Sequence, residues 1–263
     1  MTPSAETPRP RKERIAAHAA ATGTTRIVIV GATSGLGLAT ARCCIRRGWR
    51  VGIAGRRSEL LEALRAEAPE QVEAATLDVT QPDAPQRLDE LADRLGGMDI
   101  YLHVAGIGSQ NPALDPSIEI DTLRTNGEGF VRLTTAAFDY FRRHGGGRIA
   151  VISSIAGTQG LGAAPAYSAT KRLQNTYIDA LAQLARMERL PIRFTDIRPG
   201  FVATPLLRDS HYPMLMQPDA VARRIVRAIE RGRRRVVIDR RYALLVALWR
   251  LIPAWLWERL PIR

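Results

Sequence analysis

Cysteine is nearly absent from this 263-residue chain: Cys43 and Cys44 are the only two, and they are adjacent. Neighbouring cysteines neither bridge each other easily nor match metal-ligand spacing. A disulfide framework and a thiolate metal site are therefore excluded, and the chain reads as cytoplasmic. Lysine is as scarce. Of 38 Lys plus Arg residues only Lys12 and Lys171 are lysines. Lys12 falls in residues 1–25, read as a disordered basic tail that lacks the apolar core of a signal peptide. No uninterrupted apolar run reaches the ~20 residues that span a bilayer. The nearest approach, residues 242–262, is broken by Arg250 and Pro253. Helix-turn-helix, zinc-finger and RNA-binding patterns are missing too. The net charge of +12 thus points less to nucleic acid than to an anionic membrane surface.

What is present is a soluble globular composition, 46% apolar and 24% charged, arranged as alternating strands and helices. Arg26-Ile-Val-Ile-Val30 has the β-branched run of a buried parallel strand and leads straight into Gly31-Ala-Thr-Ser-Gly35-Leu-Gly37. Glycines between a strand and a helix permit a tight turn and close backbone approach to a pyrophosphate at the helix N-terminus. Gly31, Thr33, Ser34, Gly35, Leu36 and Gly37 are the candidate cradle. A second strand, 50–54, ends at Gly55-Arg56-Arg57. An acid at that point would bond the ribose hydroxyls of NAD, whereas arginine pairs with the 2′-phosphate of NADP, so Arg56 and Arg57 favour NADP(H). A helix over 58–69 leads to a third strand, 72–77, which ends at Asp78-Val79, where a carboxylate would accept from the adenine amino group. After a helix over 83–95, a fourth strand, 98–104, runs into Ala105-Gly106. This alternation predicts an α/β fold, a Rossmann-like doubly wound sheet of about seven parallel strands in one domain over 26–240.

The chemistry concentrates between Ser154 and Lys171. Tyr167 and Lys171 are four apart at the start of a helical segment and so share a face. An ammonium beside a phenol favours the phenolate and lowers a pKa that is otherwise about 10. Ser154 ends the apolar run of a fifth strand, and a Gly-rich loop joins it to the tyrosine. Hydroxyl, phenol and ammonium meeting at one place make a proton-transfer site. Upstream, one long helix is expected over 118–143, with Asn126 as a buried amide that bends it and holds a water. Downstream, a sixth strand, 192–197, ends at Arg198-Pro199-Gly200, after which Val202 and Thr204 would meet the nicotinamide. Residues 206–217, Met-rich and containing His211, suit a lid. A helix over 220–231 and a seventh strand over 235–238 follow.

Taken in order, Gly31-Ala-Thr-Ser-Gly-Leu-Gly37, Asn126, Ser154, Tyr167-xxx-Lys171 and Pro199-Gly200 resemble the short-chain dehydrogenase/reductase family over roughly residues 25–240. The resemblance implies hydride exchange between a nicotinamide and a carbonyl or alcohol carbon. It implies Tyr167 as general acid/base, Ser154 orienting the substrate, Lys171 on the nicotinamide ribose and Asn126 holding a relay water. It also implies a homodimer or homotetramer. One departure stands out: the family's Asn-Asn-Ala-Gly is here His103-Val104-Ala105-Gly106, and His103 is the candidate replacement anchor between strands.

The segment 241–263 holds three of the four tryptophans and lies outside that resemblance. Two short amphipathic helices on a membrane surface, or an apolar arm packed on the lid or a partner, both fit; either suits a lipophilic substrate. The leading function is an NADP(H)-dependent oxidoreductase. A silent dinucleotide sensor and a membrane-surface scaffold are the rivals from other classes.

Overall fold

The computed structural model describes residues 24–207 and 212–262; residues 1–23 of the tail read over 1–25, and the lid residue His211, lie outside them. Strands β1 (Arg26–Val30), β2 (Arg50–Gly55), β3 (Val72–Thr76), β4 (Ile100–His103), β5 (Gly147–Ile152), β6 (Ile192–Pro199) and β7 (Arg235–Ile238) form one parallel sheet in the order 3-2-1-4-5-6-7. Helices α1 (Gly35–Ile45), α2 (Ser58–Ala66) and α3 (Ala84–Arg94) connect the first four strands. Helices α4 (Pro116–Leu123), α5 (Phe130–Arg143), α6 (Pro165–Met187) and α7 (Pro218–Glu230) connect the rest.

Helices cover both faces of the sheet, and for that reason its central strands are apolar without alternation. In β1, Ile27 and Ile29 join the layer containing Cys43, Leu61 and Ile225, while Val28 and Val30 join the layer containing Leu88, Leu91 and Phe130. All four are fully buried. Each such side chain contributes roughly 1.5–3 kcal/mol on leaving water.

The expected helix over 118–143 is two helices. Between α4 and α5 lies a π-helical turn, Arg124–Gly129, with Asn126 at its centre. The wider turn carries the Asn126 side chain to the backbone of Ile107, and two glycines, Gly127 and Gly129, ease the widening.

The C-terminal segment folds as two short helices, α8 (Arg240–Trp249) and α9 (Ala254–Trp257). Its first turns belong to the core: Tyr242 is fully buried, and its hydroxyl donates to Pro213 O at 2.8 Å and accepts from Phe201 N at 3.2 Å. Farther along, Trp257 Nε1 donates to Gly160 O at 2.7 Å and Gln159 Nε2 reaches Trp249 O at 3.4 Å. The inner side of the segment is therefore packed against the loops on either side of the crevice. Its outer side carries Leu244 at 63%, Leu251 at 78% and Trp255 at 62% exposure. Among the described residues no helix is long and apolar enough to cross a membrane.

Candidate active site

Sheet order reverses between β1 and β4, since the chain runs outward from β1 to β3 and then returns. The carboxyl ends of such a pair of strands splay their connections apart and leave a crevice. At its floor, Gly31 adopts φ +94°, and a Cβ there would lie 2.5 Å from Ala105 N. A Cβ on Gly37 would lie 1.9 Å from Gly31 O. The turn is thus closed on itself and on the end of β4, and α1 opens directly above it with Ser34 at its N-cap. That is the cradle an anionic pyrophosphate requires. Thr204 adjoins the same turn, since a Cβ on Gly35 would lie 3.3 Å from it.

The end of β2 closes against this turn. Arg57 donates to Thr33 Oγ1 at 2.6 Å and to Ser34 Oγ at 2.9 Å. Arg56 is exposed and has no ion-pair or hydrogen-bond partner among the described residues. Two guanidinium groups therefore stand at the end of β2 with no carboxylate partner among the described residues. Asp78 Oδ1 is engaged by Thr80, accepting from its N–H at 2.9 Å and its hydroxyl at 2.8 Å, so only its other oxygen is left for an adenine. Val79 is buried, and its carbonyl accepts from Arg132 at 2.9 Å.

Across the crevice, Ser154 follows β5 and caps the short 3-10 turn Ile155–Thr158 by accepting from Ala156 N at 3.1 Å. That bond fixes the serine oxygen and leaves its proton to donate. The turn sits on α6, because a Cβ on Gly157 would lie 2.7 Å from the Lys171 carbonyl. Ser154, Tyr167 and Lys171 are brought together in this way. Burial pushes the Tyr167 phenol above its ordinary value, with the facing Ser154 hydroxyl pulling the other way. Burial, not the ammonium, has the larger hand in this shift, and Lys171 Nζ lies 5.7 Å from the ring centroid. Its Nζ donates to Ile152 O at 3.2 Å and Gln174 Oε1 at 3.1 Å. Burial lowers Lys171 to about 8, partly opposed by Asp196.

Asn126 is wholly buried; its Oδ1 accepts from Ile107 N at 2.8 Å and its Nδ2 donates to Ile107 O at 2.7 Å. Its backbone carbonyl accepts from Gln174 Nε2 at 2.9 Å, so a side chain of α6 is tied to the π turn. Gly106 adjoins the Asn126 amide and the Lys171 ammonium, and Gly108 lies flat against the Tyr167 ring. Pro199 ends β6, Gly200 packs on the Tyr242 ring, and Val202 forms an isolated bridge with Met216.

His103 does not tie β4 to its neighbours by its side chain. Its Nδ1 lies 2.7 Å from the Tyr101 hydroxyl two residues back, and its ring meets Phe130 of α5 edge-on at 5.2 Å. Burial and the nearby Lys171 lower its pKa to about 3, so the imidazole stays neutral. It is a packed structural residue.

Two residues escape the sequence reading. Glu119 accepts from Asn111 Nδ2 at 2.9 Å and from Ala166 N at 2.8 Å, clasping the loop after β4 to the first turn of α6. Nothing local in the sequence signals that contact across 47 residues. Gln174 is findable, because three positions after Lys171 on a helix is the same face.

Comparison with known proteins agrees with this geometry. The family described as short chain dehydrogenase matches residues 25–213. An uncharacterised oxidoreductase of Myxococcus xanthus is 32% identical over 234 residues, covering 86% of this chain and 92% of that protein. Dehydrogenase/reductase SDR family member 7B of Bos taurus is 34% identical over 192 residues, covering 68% and 58%. Among solved structures, a point variant of the actinorhodin polyketide ketoreductase with NADPH superposes with a TM-score of 0.72 at 25% identity, covering 82% of this chain and 96% of that one.

Proposed function

The chain belongs to the short-chain dehydrogenase/reductase family, an oxidoreductase that uses a nicotinamide dinucleotide, and on that premise we propose that it is an NADP(H)-dependent reductase of carbonyl compounds with Tyr167 as its acid/base. The observation that carries this reading is the cluster of Ser154, Tyr167 and Lys171, with Gly106 against the ammonium and Gly108 against the Tyr167 ring. The cradle and α1 would hold the pyrophosphate, Arg56 and Arg57 the 2′-phosphate, and Lys171 the nicotinamide ribose. When bound, the cofactor supplies the hydride. The protein supplies position and a proton. Ser154 donates its remaining hydrogen bond to the substrate carbonyl oxygen and polarises it. Tyr167, protonated at neutral pH as an ordinary phenol is, gives its phenolic proton to that oxygen as the alcohol forms. The NADPH named with the ketoreductase supports the same cofactor here. A panel of aliphatic and aromatic ketones and aldehydes with NADPH tests the reading: oxidation of NADPH with at least one, lost in Tyr167→Phe, supports it. NADPH oxidation unchanged in Tyr167→Phe would remove the tyrosine from the chemistry.

A second reading concerns location and assembly. The outer side of α8 and α9 exposes Leu244, Leu248, Leu251 and Trp255 beside Arg240, Arg250 and Arg259. Apolar groups rimmed by arginine match an anionic lipid surface, which supports peripheral membrane binding and a lipophilic substrate. Ile120, Leu123 and Leu173, exposed on α4, its last turn and α6, support pairing with a second copy. Co-sedimentation with phosphatidylserine vesicles should be lost in Leu251→Glu; sedimentation that this change leaves intact argues for another surface.

A further inference from the structure

Gln174 is an amide with no exposed surface, placed between the two groups on which the site depends. Its Nε2 donates to the backbone carbonyl of Asn126 at 2.9 Å, and its Oε1 accepts from Lys171 Nζ at 3.1 Å. Chemistry fixes which end faces which partner. An ammonium only donates and a carbonyl only accepts, so the oxygen must face Lys171 and the nitrogen Asn126. The π turn makes this possible, since it sets the Asn126 carbonyl opposite the face of α6 that carries Lys171 and Gln174.

We propose that Gln174 is the positioning residue of Lys171, a side-chain bridge from the π turn to the ammonium. An ammonium has three N–H groups. Gln174 and Ile152 take two of them, which leaves one for the cofactor's ribose. Because an amide neither gains nor loses a proton near neutrality, the bridge holds the ammonium and does not conduct. Other groups also face Lys171. Asp196 of β6 is paired with Arg198 at 2.6 Å and bonded by Ser153, His103 of β4 is neutral, and Tyr167 shares α6. Gln174 is the side chain that hydrogen-bonds the ammonium itself.

The inference rests on the role of Lys171 proposed above, but its test does not. Only two lysines occur in the chain, so protein grown on 13C-ε-lysine gives two side-chain signals, and Lys12→Arg assigns them. Titration of the protein without added cofactor then reads Lys171 directly, with a midpoint near 8 expected in the wild type. Gln174→Leu removes the acceptor and should lower the midpoint by about one pH unit, whereas Gln174→Glu should raise it. Gln174→Met, equally long and without either amide atom, gives the same downward shift if the leucine variant does not fold. Midpoints that stay put, or that move the same way in all variants, overturn the bridge and leave Gln174 as filling. A wild type that fails to bind NADPH sinks the oxidoreductase reading instead, and the lysine shifts stand or fall separately.

Discussion

The two ends of the crevice are built differently. At the cofactor end the contacts are made by backbone: Gly31 against Ala105 and Gly37 against the Gly31 carbonyl. At the substrate end they are made by side chains reaching across the chain: Glu119 to Ala166, Tyr242 to Pro213 and Trp257 to Gly160. A backbone approach admits one residue type, so it leaves a mark in the sequence. A side chain that reaches a distant backbone atom can be met by any residue there and leaves none. The glycine turn, the ends of β1, β2 and β4, and the Tyr167–Lys171 spacing are accordingly legible in the sequence. The clasps of Glu119, Tyr242 and Trp257 are not.

The largest expected effect lies where both ends meet. Tyr167→Phe should lower kcat by ~10²–10⁴ while NADPH affinity stays nearly unchanged. Steady-state rates and fluorescence titration on the same preparation would show whether loss of the hydroxyl acts on chemistry alone. Next comes the cofactor end. Gly37→Ala forces a Cβ to within 1.9 Å of the Gly31 carbonyl, so the turn must open. NADPH binding should weaken by roughly 100-fold or more. Retention of full affinity would mean the cradle is looser than its contacts imply.

His103, buried at the end of β4, gives a pH signature. Its folded pKa of about 3 is below the ordinary 6.5, so the unfolded chain takes up the proton first as pH falls. The stability concerned is fully present above 6.5 and is lost as pH drops toward 3. Between about pH 7 and pH 5 the loss is about 2 kcal/mol. Thermal melting over that window should be steeper for the wild type than for His103→Gln, which cannot titrate there. Parallel curves would contradict a neutral buried imidazole.

The smallest effect belongs to the substrate end. Tyr242→Phe removes the bonds to Pro213 O and Phe201 N and keeps the ring, at a cost of about 1 kcal/mol. Since those bonds tie Phe201 and Pro213 and not the reacting groups, KM for the carbonyl should rise with kcat little changed. A fall in kcat alone would place Tyr242 in the chemistry and break the division between the ends.

The places where sequence and structure part follow from the same division. Residues 118–143 read as one helix because Asn126 and two glycines are only weakly unfavourable in a helix. The π turn depends on Ile107, 19 residues from Asn126 in the chain and adjacent in space. Spacing puts Lys171 and Tyr167 on one face, which leads one to expect a lowered phenol pKa. Spacing does not reveal that burial acts on the phenol more strongly and that Gln174 and Ile152 hold the ammonium. Residues 241–263 leave a membrane surface and a packed arm both open in the sequence, because an apolar run does not say what it packs against; Tyr242 and Val246 pack into the core.

The measurement that bears most directly on the account is titration of the purified protein with NADPH and with NADH, followed by nicotinamide fluorescence, for the wild type, Arg56→Ala and Arg57→Ala. The account predicts tighter binding of NADPH and a selective loss of that preference in the arginine variants. Equal affinity for the two cofactors, or a preference for NADH, would contradict it.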